Sequence, residues 1–365
     1  MPFNQRLTGL FLEIAGVEGI SGRERRVADY ISGFLKGKGF LVEEDEAGKV
    51  SGGDAGNLIC RYGSGGEIML LAHMDTVSST AELKAQVHSD RITSDGSTIL
   101  GSDDRAGVTA ILYAVEKLLS GGGGIRDFTG VFTVDEERNL IGSRHLKPPE
   151  KIRMCVVFDS HSRPGNYITR TYGCREFHVK VRGRASHAGI APEKGVNSIQ
   201  IASSAISRLK LGRVGDDTTA NIGVIRGGSA MNVVPEMTEI KGEVRSLAME
   251  KVDSLISDIE KEFQTAAANL GGKVEFHSQW AFQPYNITAN LKVRKVVENA
   301  LRGAGLEPQP STTAGGSDAN NLNAKGIPSI NLGIGAQNPH SVEEFILLED
   351  LQAAAEIAMN LIRRD

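Results

Sequence analysis

The stretches IMLLAHMD (residues 68–75) and VFTVDEE (residues 131–137) decide the fold, because each is a short apolar run that ends in histidine or acidic side chains. Two further apolar runs, at 152–158 and 328–332, have the same construction. Runs of this length without clean alternation are typical of strands buried on both faces of a parallel sheet. The carboxyl ends of parallel strands meet at one sheet edge, where open α/β sheets bind ligands, so the polar residues should converge there.

Helices are predicted before, between and after these runs. Ser21 and Glu24 have the spacing of a capping box, which predicts the start of one helix, and others are predicted at 291–301 and 347–362. A long helix before the second run should end at the glycines 121–124, and its apolar face is formed by Val108, Ile111, Leu112, Val115, Leu118 and Leu119. This alternation predicts an α/β fold with a mostly parallel sheet flanked by helices.

The middle of the chain has a different pattern. Strand-like segments lie at 177–181, 219–225, 238–244 and 273–279, and helical segments at 196–209 and 249–270. The resulting order, βαββαβ, is that of a ferredoxin-like α+β domain. We therefore predict an inserted domain at 176–283 within a larger catalytic domain formed by 1–175 and 284–365.

Composition excludes several function classes. The 365 residues carry a formal net charge of −4, so there is no basic excess to neutralise nucleic-acid phosphates. No stretch approaches the roughly 18 consecutive apolar residues of a membrane span, and the start has no basic segment leading into a long apolar core. The sparse cysteines, Cys60, Cys155 and Cys174, suit a reducing compartment. We expect a cytoplasmic protein that binds neither nucleic acid nor membrane.

Polar residues at the strand ends, together with an acidic pair before the long helix, predict a metal site. They are His73, Asp75, Asp103, Asp104, Asp135, Glu136, Glu137, Asp159 and His340. Several carboxylates at one edge would repel each other unless cations neutralised them, and imidazole with carboxylate suits zinc, manganese or cobalt. Each group alone has a simpler interpretation, such as helix capping for Asp103-Asp104. Their conjunction favours the metal site. The histidines without this context are expected at the surface or in ordinary packing: His88, His145, His161, His178 and His277.

Four segments make the chain resemble a known family: MLLAHMDTV (69–77), DGSTILGSDDRAGV (95–108), TVDEERNLIG (133–142) and SHAGIAPEKGVN (186–197). They look like the zinc metallopeptidases that include peptidase T, carboxypeptidase G and the acetylornithine and succinyl-diaminopimelate deacylases. The similarity covers nearly the whole chain in the right order. It is closest to the peptidase T-like branch, partly through LGRVGDDTTANIG (211–223).

The resemblance implies a site for two divalent ions, zinc first, with cobalt or manganese as alternatives. His73 and Asp159 would bind one ion, and Glu137 and His340 the other. Asp103 would bridge both ions.

The resemblance also implies two supporting roles and one backbone feature. Asp75 would hydrogen-bond the far nitrogen of His73 and fix that ligand's orientation. Glu136 would be the general base that takes the proton of the attacking water. The peptide bond between Asp103 and Asp104 is expected to be cis.

Substrate contacts are implied mainly for the inserted domain. His187, Asn232 and Arg245 match family residues that contact substrate, and Gly316 and Ser317 lie in a segment that resembles a closing loop. Through the inserted domain the chain is expected to form a homodimer in which His187 reaches the neighbouring subunit's site.

The sequence departs from the family pattern at two places, one in the turn after the two glutamates and one in a segment that bears on substrate choice. Asn139 stands where the family usually has glycine, and asparagine tolerates the left-handed backbone angles of such a turn. Pro235-Glu236 follows the deacylase and carboxypeptidase branches rather than the peptidase T-like branch.

The leading interpretation is an aminopeptidase that cleaves short peptides. The first alternative is a carboxypeptidase or N-acyl-amino-acid deacylase, whose free substrate carboxylate would need Arg245, whereas a free ammonium needs an acidic partner. A second alternative is an inactive binding protein of the same fold. The presence of all five candidate ligands and the base argues against it.

Overall fold

The computed structural model describes residues 4–121 and 124–364, and these form two compact units. The first unit contains the described residues up to Arg170, Asn286–Thr313, and the chain from Ser317 onward. The second unit contains Thr171–Tyr285 and Ala314–Gly316. None of the helices in the described ranges combines the length and apolar character that crossing a membrane requires.

The secondary structure alternates along most of the chain. The helices are α1 (Gln5–Ala15), α2 (Arg25–Lys36), α3 (Ala47–Ser51), α4 (Ser102–Ser120), α5 (Ile141–His145), α6 (Ser198–Ile206), α7 (Met249–Leu270), α8 (Lys292–Gly303), α9 (Asp318–Ala324) and α10 (Leu348–Ile362), with a 3-10 turn at Pro192–Lys194. The strands are β1 (Leu41–Glu44), β2 (Leu58–Tyr62), β3 (Ile68–His73), β4 (Gln86–Val87), β5 (Arg91–Thr93), β6 (Phe128–Thr133), β7 (Met154–Ser160), β8 (Asn166–Thr171), β9 (Gly173–Arg182), β10 (Ser186–His187), β11 (Gly212–Gly215), β12 (Thr218–Gly227), β13 (Val233–Val234), β14 (Met237–Ser246), β15 (Lys273–Phe282), β16 (Tyr285–Asn286), β17 (Gln309–Thr313), β18 (Ser329–Gly333), β19 (Ala336–Gln337) and β20 (Phe345–Leu347).

The main sheet has the order β1-β2-β6-β3-β7-β18-β8-β16, with β17 paired to β8. Its centre, from β6 to β18, is parallel, and antiparallel pairs lie outside it. Strands β3 and β6 are buried along their whole length, as the apolar runs predict. Helix α4 packs on β3 and β7, α10 packs on α4, and α9 packs on β7 and β18. The predicted α/β fold with a mostly parallel sheet is confirmed.

Two local predictions have different outcomes. Helix α4 ends at Ser120 and is capped by Gly121, as predicted, whereas Gly122 and Gly123 lie outside the described residues. The capping box of Ser21 and Glu24 is wrong. Ser21 Oγ donates to Asp75 at 2.7 Å, and the Glu24 carboxylate accepts the N–H groups of Gly22 and Asp135. Both side chains bind loops rather than the first turn of α2.

The second unit is an antiparallel sheet of order β11-β12-β14-β9-β15, covered by α6 and α7. The order of its four long strands is that of the predicted ferredoxin-like arrangement. Alternate residues of β9, including Val179 and Val181, are buried against side chains of α7 such as Phe263.

Candidate metal centre

The main sheet brings the five predicted ligands to its carboxyl edge. His73 ends β3, Asp159 lies near the end of β7, and Glu137 follows β6. His340 lies in the segment after β18, just beyond the short strand β19. Asp103 lies near the start of α4 with non-helical angles, and its peptide bond to Asp104 is cis, as expected.

The ligand atoms form two overlapping groups. His73 Nε2 lies 3.3 Å from Asp103 Oδ1 and 3.7 Å from Asp159 Oδ1. His340 Nε2 lies 3.2 Å from Asp103 Oδ2 and 3.0 Å from Glu137 Oε1. Within each group all ligand atoms lie within 4.8 Å of one another, and Asp103 belongs to both groups. The arrangement could hold two ions joined by one carboxylate.

The charges of the candidate ligands favour the binding of positive charge between them. Burial opposes ionisation of Asp103, yet hydrogen bonds with His161, His340 and His73 hold its pKa well below the usual range. Hydrogen bonds to Asp103 and Glu137 raise the pKa of His340 to about 10. Two imidazole nitrogens with three carboxylates are a donor set that suits divalent zinc, cobalt or manganese. The residues therefore fit a pair of divalent cations.

Asp75 is fully buried behind His73. The far nitrogen of His73, Nδ1, lies 3.1 Å from the Asp75 carbonyl oxygen and 3.4 Å from its carboxylate oxygen Oδ1. The same carboxylate accepts the backbone N–H groups of Glu136 at 3.0 Å and Glu137 at 3.1 Å. One side chain thus orients a candidate ligand and also holds the backbone of both glutamates.

The loop that carries the two glutamates has an unusual backbone. Asp135, Asn139 and Leu140 have positive φ angles of 51°, 70° and 57°. Asn139 therefore adopts the left-handed conformation for which asparagine was expected to substitute for glycine. The Asp135 N–H is held by Glu24 at 3.0 Å, and its carboxylate by Arg138 Nε at 2.8 Å. The turn is consequently fixed on both sides of the glutamates.

Asp104 and Glu344 fix the backbone around Asp103. Asp104 accepts the N–H of His73 at 3.0 Å and that of Gly107 at 3.1 Å, so the capping interpretation is confirmed for Asp104. The buried Glu344 accepts the N–H groups of Gly101 at 2.7 Å and Asp103 at 3.0 Å.

Sequence reasoning missed three residues of this centre: His161, Glu24 and Glu344. His161 is exposed, as expected, but its Nε2 also lies 2.8 Å from Asp103 Oδ2, a contact that the sequence did not predict. The available signal was its position directly after β7 and two residues after Asp159, because the carboxyl end of a parallel strand faces the ligand-binding edge of the sheet. Glu24 and Glu344 carried no such signal.

The predicted substrate residues fall in different parts of the fold. His187 and Asn232 are exposed in the second unit near the ladder that pairs His187 with Val233. Arg245, also in the second unit, donates through Nε and Nη2 to both oxygens of Glu243 at 2.8 and 3.0 Å, and through Nη1 to the Ala314 carbonyl at 2.8 Å.

Gly316 and Ser317 divide between the two units. Gly316 belongs to the second unit, where a Cβ at its position would lie 2.5 Å from the Phe282 ring. Ser317 belongs to the first unit, is buried, and precedes α9, with its N–H donating to Asn320 at 3.0 Å.

Comparison with known proteins gives consistent results. The M20 family model described as a peptidase dimerisation domain matches residues 169–270. Peptidase T of Clostridium perfringens is 27% identical over 89% of this chain and 81% of that protein. The crystal structure of aminopeptidase PepT from Bacillus cereus has a TM-score of 0.90 and 32% identity, covering 99% of this chain and 98% of that chain. A tripeptidase structure from Staphylococcus aureus has a TM-score of 0.92 and 33% identity over the same shares.

Proposed function

This chain is a peptidase of the M20 family, in its peptidase T-like branch, and we propose that it removes N-terminal residues from short peptides with two divalent ions. The observation that carries this proposal is the pair of ligand groups sharing Asp103 beside the Asp135–Glu137 loop. The inactive-binding-protein alternative lacks a comparable observation, because both groups are intact.

We assign the ligands as the resemblance implied. His73 and Asp159 would hold one ion, Glu137 and His340 the other, and Asp103 both. When bound, such ions supply Lewis acidity that polarises the scissile carbonyl and lowers the pKa of a water molecule. Zinc is the proposed metal.

Glu136 is the proposed general base. Burial, reinforced by the nearby charge of Asp159, raises the pKa of Glu136 well above its usual range. A carboxylate with a raised pKa is a better proton acceptor, and it can later deliver the proton to the leaving nitrogen. The backbone N–H groups of Glu136 and Glu137 both donate to Asp75, which holds the segment that carries the proposed base and the proposed ligand.

The proposed specificity is for a free N-terminus. The solved relatives at 32% and 33% identity are named an aminopeptidase and a tripeptidase. The planar fork of Arg245, which a carboxypeptidase or deacylase would use for a substrate carboxylate, is already paired with Glu243. This pairing disfavours the carboxylate-binding alternative.

Blocked tripeptides test the proposal. A free tripeptide and its C-terminal amide should both be cleaved, and the N-acetylated tripeptide should not. Product analysis should show the N-terminal residue released first. Cleavage of only the N-acetylated peptide would establish the deacylase alternative, and blocking by C-terminal amidation would establish the carboxypeptidase.

We further propose a cytoplasmic homodimer formed through the second unit, with His187 serving the neighbouring subunit's site. The match to a peptidase dimerisation domain supports the dimer. The free and buried state of all three cysteines suits a reducing compartment. His187, Asn232, Gly316 and Ser317 remain proposed substrate contacts.

A further inference from the structure

His161 is a third histidine at the bridging carboxylate. Its Nε2 lies 2.8 Å from Asp103 Oδ2, the oxygen that also faces His340. The rings of His161 and His340 meet edge to face with centroids 6.1 Å apart. Because 47% of its side chain is exposed, this contact is not forced by burial in the core.

The backbone around His161 is fixed. Its carbonyl oxygen accepts a hydrogen bond from Gln337 Nε2 at 3.1 Å. The carbonyls on either side, of Ser160 and Ser162, accept the N–H groups of Ile334 at 2.8 Å and Gly335 at 3.0 Å. The segment after β18 therefore holds the backbone of this short loop in place. The His161 ring reaches Asp103 from this fixed backbone.

The geometry favours an orienting role over ligation. Within the described residues, the two groups with ligand atoms inside 4.8 Å do not include His161. Catalytic metal sites usually keep three protein ligands and an open position, and Asp103, Glu137 and His340 already supply three. A carboxylate oxygen has two acceptor sites, so Asp103 Oδ2 can take an N–H from His161 and still face an ion.

We propose that His161 is a positioning residue: its Nε2–H fixes the Asp103 oxygen that serves the ion shared with Glu137 and His340. The inference rests on the proposed two-ion function. It predicts an asymmetric effect, because an ion held by His73 and Asp159 would lie beside the other oxygen of Asp103, Oδ1, which is 3.3 Å from His73 Nε2.

Cobalt(II) titration of metal-free protein tests this role, followed by visible absorption and calorimetry. Wild type should bind two equivalents. His161→Ala should leave one affinity unchanged and raise the Kd of the other by about 10–100-fold, the usual effect of losing a partner that orients a ligand. His161→Gln should restore most of the affinity, because its amide can still donate a hydrogen bond. His88→Ala is the matched control, since His88 is an exposed histidine bonded to the Thr93 hydroxyl at 3.0 Å.

Each outcome of the titration either supports or overturns the proposal. Two unchanged affinities in His161→Ala would overturn the positioning role. If His161→Gln fails to restore binding and the absorption of the second cobalt changes in both variants, His161 is a direct ligand and the proposal is wrong. If wild type itself fails to bind two equivalents, the proposed function fails, and this inference fails with it.

Discussion

Replacing Asp75 with asparagine should damage the metal site and the catalytic loop together. The Asp75 carboxylate accepts N–H groups from Glu136 at 3.0 Å and Glu137 at 3.1 Å and a hydroxyl from Ser21 at 2.7 Å. Asparagine keeps only one of the two acceptor oxygens. Its NH₂ group, itself a donor, would face one of these N–H or O–H groups and leave that group without an acceptor. A buried donor left without an acceptor costs about 1–3 kcal/mol.

The same change weakens the orientation of His73, whose Nδ1 lies 3.4 Å from Asp75 Oδ1. Loss of a partner that orients a ligating histidine typically costs 10–100-fold in metal affinity or activity. We expect Asp75→Asn to lower the free energy of unfolding of the metal-free protein by about 1–3 kcal/mol. Its kcat/KM on a free tripeptide should fall by about 10–100-fold.

Thermal unfolding, metal content and tripeptide turnover measure these effects. Asp45→Asn is the control, because Asp45 Oδ1 accepts the backbone N–H groups of Ala47 and Asn57 at 2.9 Å, its Oδ2 accepts the Asn57 side-chain amide at 2.8 Å, and none of these partners is one of the five ligands. The control should lose stability but keep its metal. If Asp75→Asn binds both ions with wild-type affinity and turns over within about twofold of wild type, a range well below the effect expected for an orienting partner, the role of Asp75 is refuted.

Three further predictions concern ligation, assembly and pH. His340→Ala should lose one ion and nearly all turnover, whereas His88→Ala should lose neither. Mixing inactive His187→Ala with inactive Glu136→Ala should restore part of the activity, because one site of a mixed dimer would contain both intact residues. Burial raises the pKa of Glu24 from 4.5 to about 7, so ionisation destabilises the folded state as pH rises through this window. The free energy of unfolding of the wild type should therefore fall by roughly 3 kcal/mol as Glu24 ionises, and Glu24→Gln should abolish this fall.

Each of these predictions has a contradicting result. Full metal content in the His340 variant would exclude it as a ligand. Zero activity after demonstrated subunit exchange would exclude a contribution of His187 across the dimer. An unchanged pH dependence of stability in the Glu24 variant would show that its ionisation is not what changes stability between pH 4.5 and about 7.

The fold and the convergence of the five candidate ligands were predictable because their signals are local. An apolar run with His73 or Asp159 at its end predicts a buried strand and a candidate ligand. All of the evidence for this prediction lies in a few adjacent residues. Glu24 and Glu344 were not predictable, because their partners Asp135 and Asp103 are 111 and 241 residues distant in sequence. The Ser21–Glu24 spacing led to a wrong prediction of a capping box for the same reason. Both side chains bind partners on other loops, which a local sequence pattern cannot reveal.

Metal content and turnover of Glu136→Gln and Glu137→Gln, measured side by side, test the central claim most directly. Glu136→Gln should keep two ions per chain and lose at least the 10²–10⁴-fold in kcat attributed to a general base. Glu137→Gln should lose one ion, and excess metal should partly restore its activity. Loss of metal in Glu136→Gln with retention in Glu137→Gln would exchange the two roles. Unchanged turnover in both variants would contradict the hydrolytic mechanism itself.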